Sequence, residues 1–298
     1  MKKFLATLLM MAGIASAQAQ TQVNVYGRIS EYFENQRLGS TTTNQLTDDS
    51  SYIGFKGTEA LGGGLNAFFV LETGVNVDAP GATTLGNRTA IVGLKNNFGS
   101  LSAGRDLHVI GAMIGKYDAL WDSYGSSATA IHAAQGKRMQ NAVFVTATPI
   151  NGLTVSVQNG FSEVAGTASV KAGSIGYEAG GFSATVGRFT DVDNSSSSTM
   201  VGAKQKFDVT GTTVFGMWSD DEVLGVKTTG KSVGVNQELG KNLVALASYG
   251  TNDRTDAYNL GASYRFSKRT EAGIRYTREV TDGAADVRKV GVGLTHNF

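Results

Sequence analysis

The 298-residue chain has no cysteine, only two prolines and no apolar run long enough to cross a bilayer as a helix, which takes roughly 20 residues. Without cysteine there is no disulfide framework and no thiolate metal site, so stability must come from the chain's own ladders. Scarce proline leaves long stretches free to pair as strands. The charges nearly cancel, 26 Lys and Arg against 25 Asp and Glu, and nothing in that balance points to a nucleic-acid partner. Only three histidines occur, His108, His132 and His296. They form no ligand cluster, so no metal and no cofactor is expected. Gly62-Gly63-Gly64 is followed by neither a helix pattern nor a P-loop lysine and reads as a turn.

What is abundant is glycine, 39 residues, and a recurrent two-residue alternation. At the N-terminus Lys2-Lys3 precede an apolar run from Phe4 to Ile14 and then Ala15-Ser16-Ala17-Gln18-Ala19, the layout of a cleaved export signal. Residues 1–19 are therefore expected to be a signal peptide and 20–298 one transmembrane domain. An exported chain without membrane helices can still cross a bilayer as a closed barrel, in which every backbone group finds a partner.

Tight marks such as Ala179-Gly180-Gly181 and Leu239-Gly240-Lys241 alternate with longer polar stretches such as 38–50, 191–198 and 220–230. Short turns at one end and long loops at the other are the asymmetry of outer-membrane barrels. Placing strands between the marks gives roughly 22–34, 50–59, 65–75, 87–95, 100–107, 139–148, 153–161, 170–178, 182–190, 198–206, 211–219, 230–238, 242–250, 257–266, 270–279 and 289–298, an all-β antiparallel barrel of 16 strands. Even parity puts both ends of the barrel on the periplasmic side and lets the last strand close on the first. Tyr258, Leu260, Ala262, Tyr264 and Phe266 share one face, opposite Asn259, Gly261, Ser263 and Arg265; the first set is expected to face lipid and the second a wet lumen. Val290, Val292, Leu294 and Phe298 form the last apolar row. Phe68 to Leu71 and Leu243 to Ala247 are apolar on both faces, which suggests contact with an infolded loop or a neighbouring subunit.

Ser51-Tyr52-Ile53-Gly54-Phe55-Lys56-Gly57-Thr58-Glu59 with Leu61-Gly62-Gly63-Gly64-Leu65 resembles the general porins of Gram-negative bacteria, most of all their betaproteobacterial branch. Val23 to Arg28, Asn87 to Lys95, Gly99 to Asp106, Arg138 to Phe144 and Gly293 to Phe298 are similar to further porin strands in family order. The resemblance implies a homotrimer of 16-stranded barrels in the outer membrane, among lipid and lipopolysaccharide, passing small hydrophilic solutes and ions. It also implies a third loop folded into the lumen, here about Leu107 to Lys137, and a terminal Phe298 read by the barrel-assembly machinery. By motif position the constriction would hold Asp118 and Asp122 on the loop against Arg28, Arg88 and Arg138 on the wall, with Arg105 nearby. Opposed charges across a narrow lumen set its selectivity, and the basic surplus predicts a weak anion preference. The sequence departs from the family pattern where Tyr52 stands at a commonly basic position, and where Asp122 to Ser127 replaces the Pro-Glu-Phe-Gly-Gly tip of enterobacterial relatives. Two other classes are a barrel-borne protease or phospholipase, which would draw on His108 and His132 near Asp106 and Ser123, and an adhesin or phage receptor presenting its loops. Asp48-Asp49 and Asp220-Asp221-Glu222 read as solvated loop charges.

Overall fold

The structure is a computed structural model that describes residues 22–79, 81, 83–120, 123–132 and 138–298; the expected leader lies outside them. Its strands are β1 (Gln22–Leu38), β2 (Thr41–Asp48), β3 (Tyr52–Gly62), β4 (Leu65–Gly74), β5 (Thr89–Asn96), β6 (Gly99–Leu107), β7 (Arg138–Ala147), β8 (Leu153–Gly160) and β9 (Val170–Ala179). They continue as β10 (Phe182–Asp191), β11 (Ser196–Phe207), β12 (Thr212–Val223), β13 (Val226–Leu239), β14 (Leu243–Thr251), β15 (Thr255–Arg265), β16 (Thr270–Thr281) and β17 (Val287–Asn297). Seventeen segments make 16 barrel strands, because β2 and β3 are consecutive halves of one: β2 pairs with the far half of β1 and β3 with its near half. The break falls at Asp49-Ser50-Ser51, where Ser50 takes φ 60°. Each barrel strand runs antiparallel to its neighbours, and β17 returns to β1 from Arg28↔Asn297 to Leu38↔Val287. No edge is left open.

The side chains sort inside out. Val290, Val292 and Leu294 of β17 are exposed on the outer face, while Gly291, Gly293 and Thr295 are buried. On β15, Leu260 and Tyr264 point outward and Asn259 and Ser263 are buried inward. That is the arrangement of a sheet whose outer solvent is hydrocarbon and whose inner face is wet or packed.

All 16 expected strands are present, yet several run further than expected. The stretch 38–50, read as loop, is mostly ladder: β1 continues to Leu38 and turns directly into β2. Likewise β12 and β13 meet across a tight turn at Leu224-Gly225 instead of a loop over 220–230. Beyond the apolar band both faces of a strand meet water, so alternation disappears while backbone pairing continues. A reading based on alternation ends these strands too early.

Candidate functional site

The segment that follows β6 forms two short helices, α1 (Val109–Tyr117) and α2 (Ser127–Ile131). His108 caps α1 by accepting from the Gly111 N–H at 3.2 Å, and Ser126 caps α2 from Thr129 at 3.2 Å, each satisfying a donor left over at a helix start. Val109, Ile110, Met113, Ile114 and Tyr117 recur at helical spacing and are buried. They pack on inward-facing Met139, Phe144, Phe189, Met200 and Met217 of the wall, so part of the lumen is filled by an apolar core.

Glycines make room for this loop. A Cβ on Gly202 would lie 2.3 Å from the Tyr117 ring, one on Gly187 2.8 Å from Met113, one on Gly250 2.7 Å from Ile131 and one on Gly291 2.4 Å from Tyr124. These residues sit on β11, β10, β14 and β17, and together they mark the loop's course along the inner wall. Polar side chains of the wall hold the loop's backbone: Gln158 accepts from Val109 N–H at 3.0 Å, Asn236 donates to the Ala119 carbonyl at 3.0 Å, and Asn252 donates to Ile131 at 3.1 Å. The Tyr117 hydroxyl meets Thr185 at 2.6 Å and Ser183 at 3.0 Å. At the tip, Tyr124 stacks on Tyr32 with centroids 4.5 Å apart, bonds the Glu34 carboxylate through its hydroxyl, and donates its N–H to Asp49 at 2.8 Å. Burial and the neighbouring Glu34 carboxylate push the Tyr124 hydroxyl well above the ordinary phenol range.

The wall cations lie on β1, directly before β5, and on β6 and β7. Arg28 donates to Asp49 at 2.6 Å, and that carboxylate also accepts from Ser30 at 3.0 Å. Arg88 lies 3.8 Å from Glu72 and 4.9 Å above the Tyr52 ring. The tyrosine that replaces a basic rung therefore supports the next one through its ring face. Arg105 lies at a register shift between β6 and β7, donates to the Asn87 carbonyl at 3.0 Å and reaches Gln140 at 3.0 Å. Arg138, opposite Leu107 in the β6–β7 ladder, is half-buried.

The acidic side is arranged differently from the expectation. Asp118 is only 2 % exposed, at the C-cap of α1, so its carboxylate is not presented to an open path; Asp122 lies outside the described residues. The carboxylates that meet the arginines are wall residues, Asp49 at Arg28, Glu72 at Arg88 and Asp106 near Arg138. Asp49 is not the solvated loop charge the sequence suggests, because the Asp49–Ser51 break, which turns it inward, leaves no mark in strand alternation.

His132 and its neighbours have a catalytic-looking connectivity that the geometry closes off. Its Nδ1 lies 2.7 Å from Ser219 Oγ and its Nε2 3.0 Å from Ser232 Oγ, and Ser219 donates to Asp221 at 2.6 Å. All four side chains are buried, and the ring fills space that a Cβ on Gly230 would enter. The group fixes the loop to β12 and β13. Burial pushes the His132 imidazole down to about 4, below its unfolded value near 6.5. The unfolded or undocked ring thus binds the proton first, and docking is fully stable above about pH 6.5 and weakens as pH falls toward 4, by at most about 3 kcal/mol. Open-channel current noise is expected to rise between pH 7 and pH 5, and His132→Asn to show a smaller rise.

A closed 16-stranded barrel with an apolar outside and a charged, partly filled inside defines a transmembrane β-barrel channel. The Gram-negative porin family model matches residues 5–284, and the chain belongs to that family, an outer-membrane one. It is 28% identical to outer membrane porin protein 32 of Delftia acidovorans, across 100% of this chain and 86% of that one. A stretch of 61 residues is 52% identical to major outer membrane protein P.IA of Neisseria meningitidis, covering 20% of this chain and 16% of that relative's length. Among solved structures, an anion-selective porin from Comamonas acidovorans superposes with a TM-score of 0.81 at 20% identity, over 94% of this chain and 100% of that one. Salmonella typhi OmpF gives 0.74 at 18% identity, over 93% and 97%.

Proposed function

We propose that this porin is a passive, water-filled channel for small hydrophilic solutes and ions, weakly anion-preferring and assembled as a homotrimer. A wet lumen removes the cost of taking a polar solute through hydrocarbon, so no chemical step is needed. The observation that carries the reading is the row of cations on one wall, Arg28, Arg88 and Arg138, joined by inward-facing Lys56 and Lys95. These outnumber the carboxylates Asp49, Glu72 and Asp106 beside them. Asp122 remains a candidate for the facing side, with Arg105 at the margin. Selectivity of the Comamonas protein, which has the same fold, agrees in sign. An enzyme reading finds no support at His132, whose partners are sealed from solvent. In planar bilayers the full-length protein should open in groups of three equal conductance steps; single steps would refute the trimer, and a complete lack of steps the channel.

The last residue offers a separate test of biogenesis. Phe298 exchanges backbone hydrogen bonds with Gly27 at 3.1 and 3.2 Å, and its ring covers that glycine at the seam. If the ring is also the signal for barrel assembly, Phe298→Ala should reduce the outer-membrane level several-fold while leaving the conductance of inserted channels unchanged. Normal accumulation of the variant would refute that role.

A further inference from the structure

Phe68 and Val70 of β4 face the lumen, where apolar side chains are out of place unless covered. The loop's course is marked on β10, β11, β14 and β17, on other strands. The two side chains instead line a cavity of about 480 Å³ with Lys56 and Lys95, and with Asn24 and Asn66 at its margin. Each lysine is held against a ring. Lys95 Nζ is 5.3 Å from the Phe68 centroid and 3.4 Å from Thr58 Oγ1, and Lys56 Nζ is 4.4 Å from the Tyr26 centroid. Both lysines are exposed, whereas Phe68 and Val70 are half-buried. The cavity lies between the N-terminal start of β1 and the tight turn between β3 and β4, on the turn side of the arginine cluster.

An inorganic anion would use the lysines alone and gain nothing from the apolar floor. A neutral ring would gain the floor and leave the ammonium groups unused. The chemistry that uses both is a small anion with an apolar body. We propose that this recess is a weak binding site for single-ring aromatic carboxylates, the carboxylate meeting Lys56 and Lys95 and the ring lying on Phe68 and Val70. The inference rests on the channel reading and adds a solute class to it. A site on the way out of the constriction concentrates such solutes in the lumen and must release them readily, so its affinity belongs in the millimolar range.

The test uses the full-length protein in planar bilayers in KCl, with benzoate, acetate and benzyl alcohol as probes. Benzoate should reduce the chloride current in a saturating, concentration-dependent way. Acetate, which lacks the ring, and benzyl alcohol, which lacks the charge, should not saturate over the same range. Lys95→Gln and Lys56→Gln should each weaken the benzoate effect by about three- to tenfold, and Phe68→Leu should weaken benzoate while leaving the acetate response unchanged. Conducting channels in which benzoate behaves as acetate does would overturn the site and leave the channel reading intact. A benzoate effect untouched by both lysine variants would also overturn it.

Discussion

Replacing Gly202 by leucine should drive α1 off the wall while the barrel still closes. Gly202 contributes only backbone to the ladder, opposite Met217 and Thr185, so a side chain there is compatible with the strand. It is not compatible with the Tyr117 ring, which occupies the place of its Cβ. Tyr117 is 1 % exposed and anchors α1 through Ser183 and Thr185; losing a buried aromatic's packing costs about 3–5 kcal/mol. With its main anchor gone, the loop should leave the inner wall, single-channel conductance should rise about twofold or more, and the open level should fluctuate. Gly216→Ala is the matched control, since its Cβ would meet nothing nearer than the Ser232 carbonyl at 4.0 Å. A quiet trace of ordinary conductance from Gly202→Leu would show that the loop does not restrict the pore.

The second large effect concerns charge. Arg88→Glu combined with Arg138→Glu replaces two cations by two anions, one directly before β5 and one at the start of β7, and leaves Glu72 without its cation, bonded to Tyr26. Unit charges a few ångströms from a passing ion act with about 1 kcal/mol each even in bulk water, and with more in a narrow lumen. The chloride-to-potassium permeability ratio should therefore fall by about tenfold or more and pass through unity. Heat-resistant migration of the folded barrel in detergent gels separates this from misfolding. Retained anion preference in a folded double variant would place the selectivity elsewhere.

The two effects differ in how far the sequence alone revealed them. Arg88 directly precedes β5 and Arg138 opens β7, so the alternation of those two strands aims both side chains. The partner of Arg28 could not: Asp49 turns inward because β2 and β3 are broken at Ser50, and a break adds no signal to a polar stretch. The helix α1 was readable in principle. Val109, Ile110, Met113, Ile114 and Tyr117 follow a helical period, which the two-residue alternation of the flanking strands hides. The course of the loop was recorded in glycines on distant strands, Gly187, Gly202, Gly250 and Gly291, whose meaning depends on which ring lies above each. Leu243 to Ala247, apolar on both faces, fits the infolded loop, since Val244 and Leu246 are buried on the strand against which α2 packs. Phe68 and Val70 carried the same signal for another reason, as the floor of a lumenal recess.

An anion-preferring channel requires a conducting lumen whose wall cations outweigh the carboxylates around them. The most direct test is the zero-current potential of the purified, refolded protein in a planar bilayer with a tenfold KCl gradient. The expected potential has the sign that shows chloride to be more permeant than potassium, by a modest ratio. A potential of the opposite sign, showing clear cation preference, would contradict it.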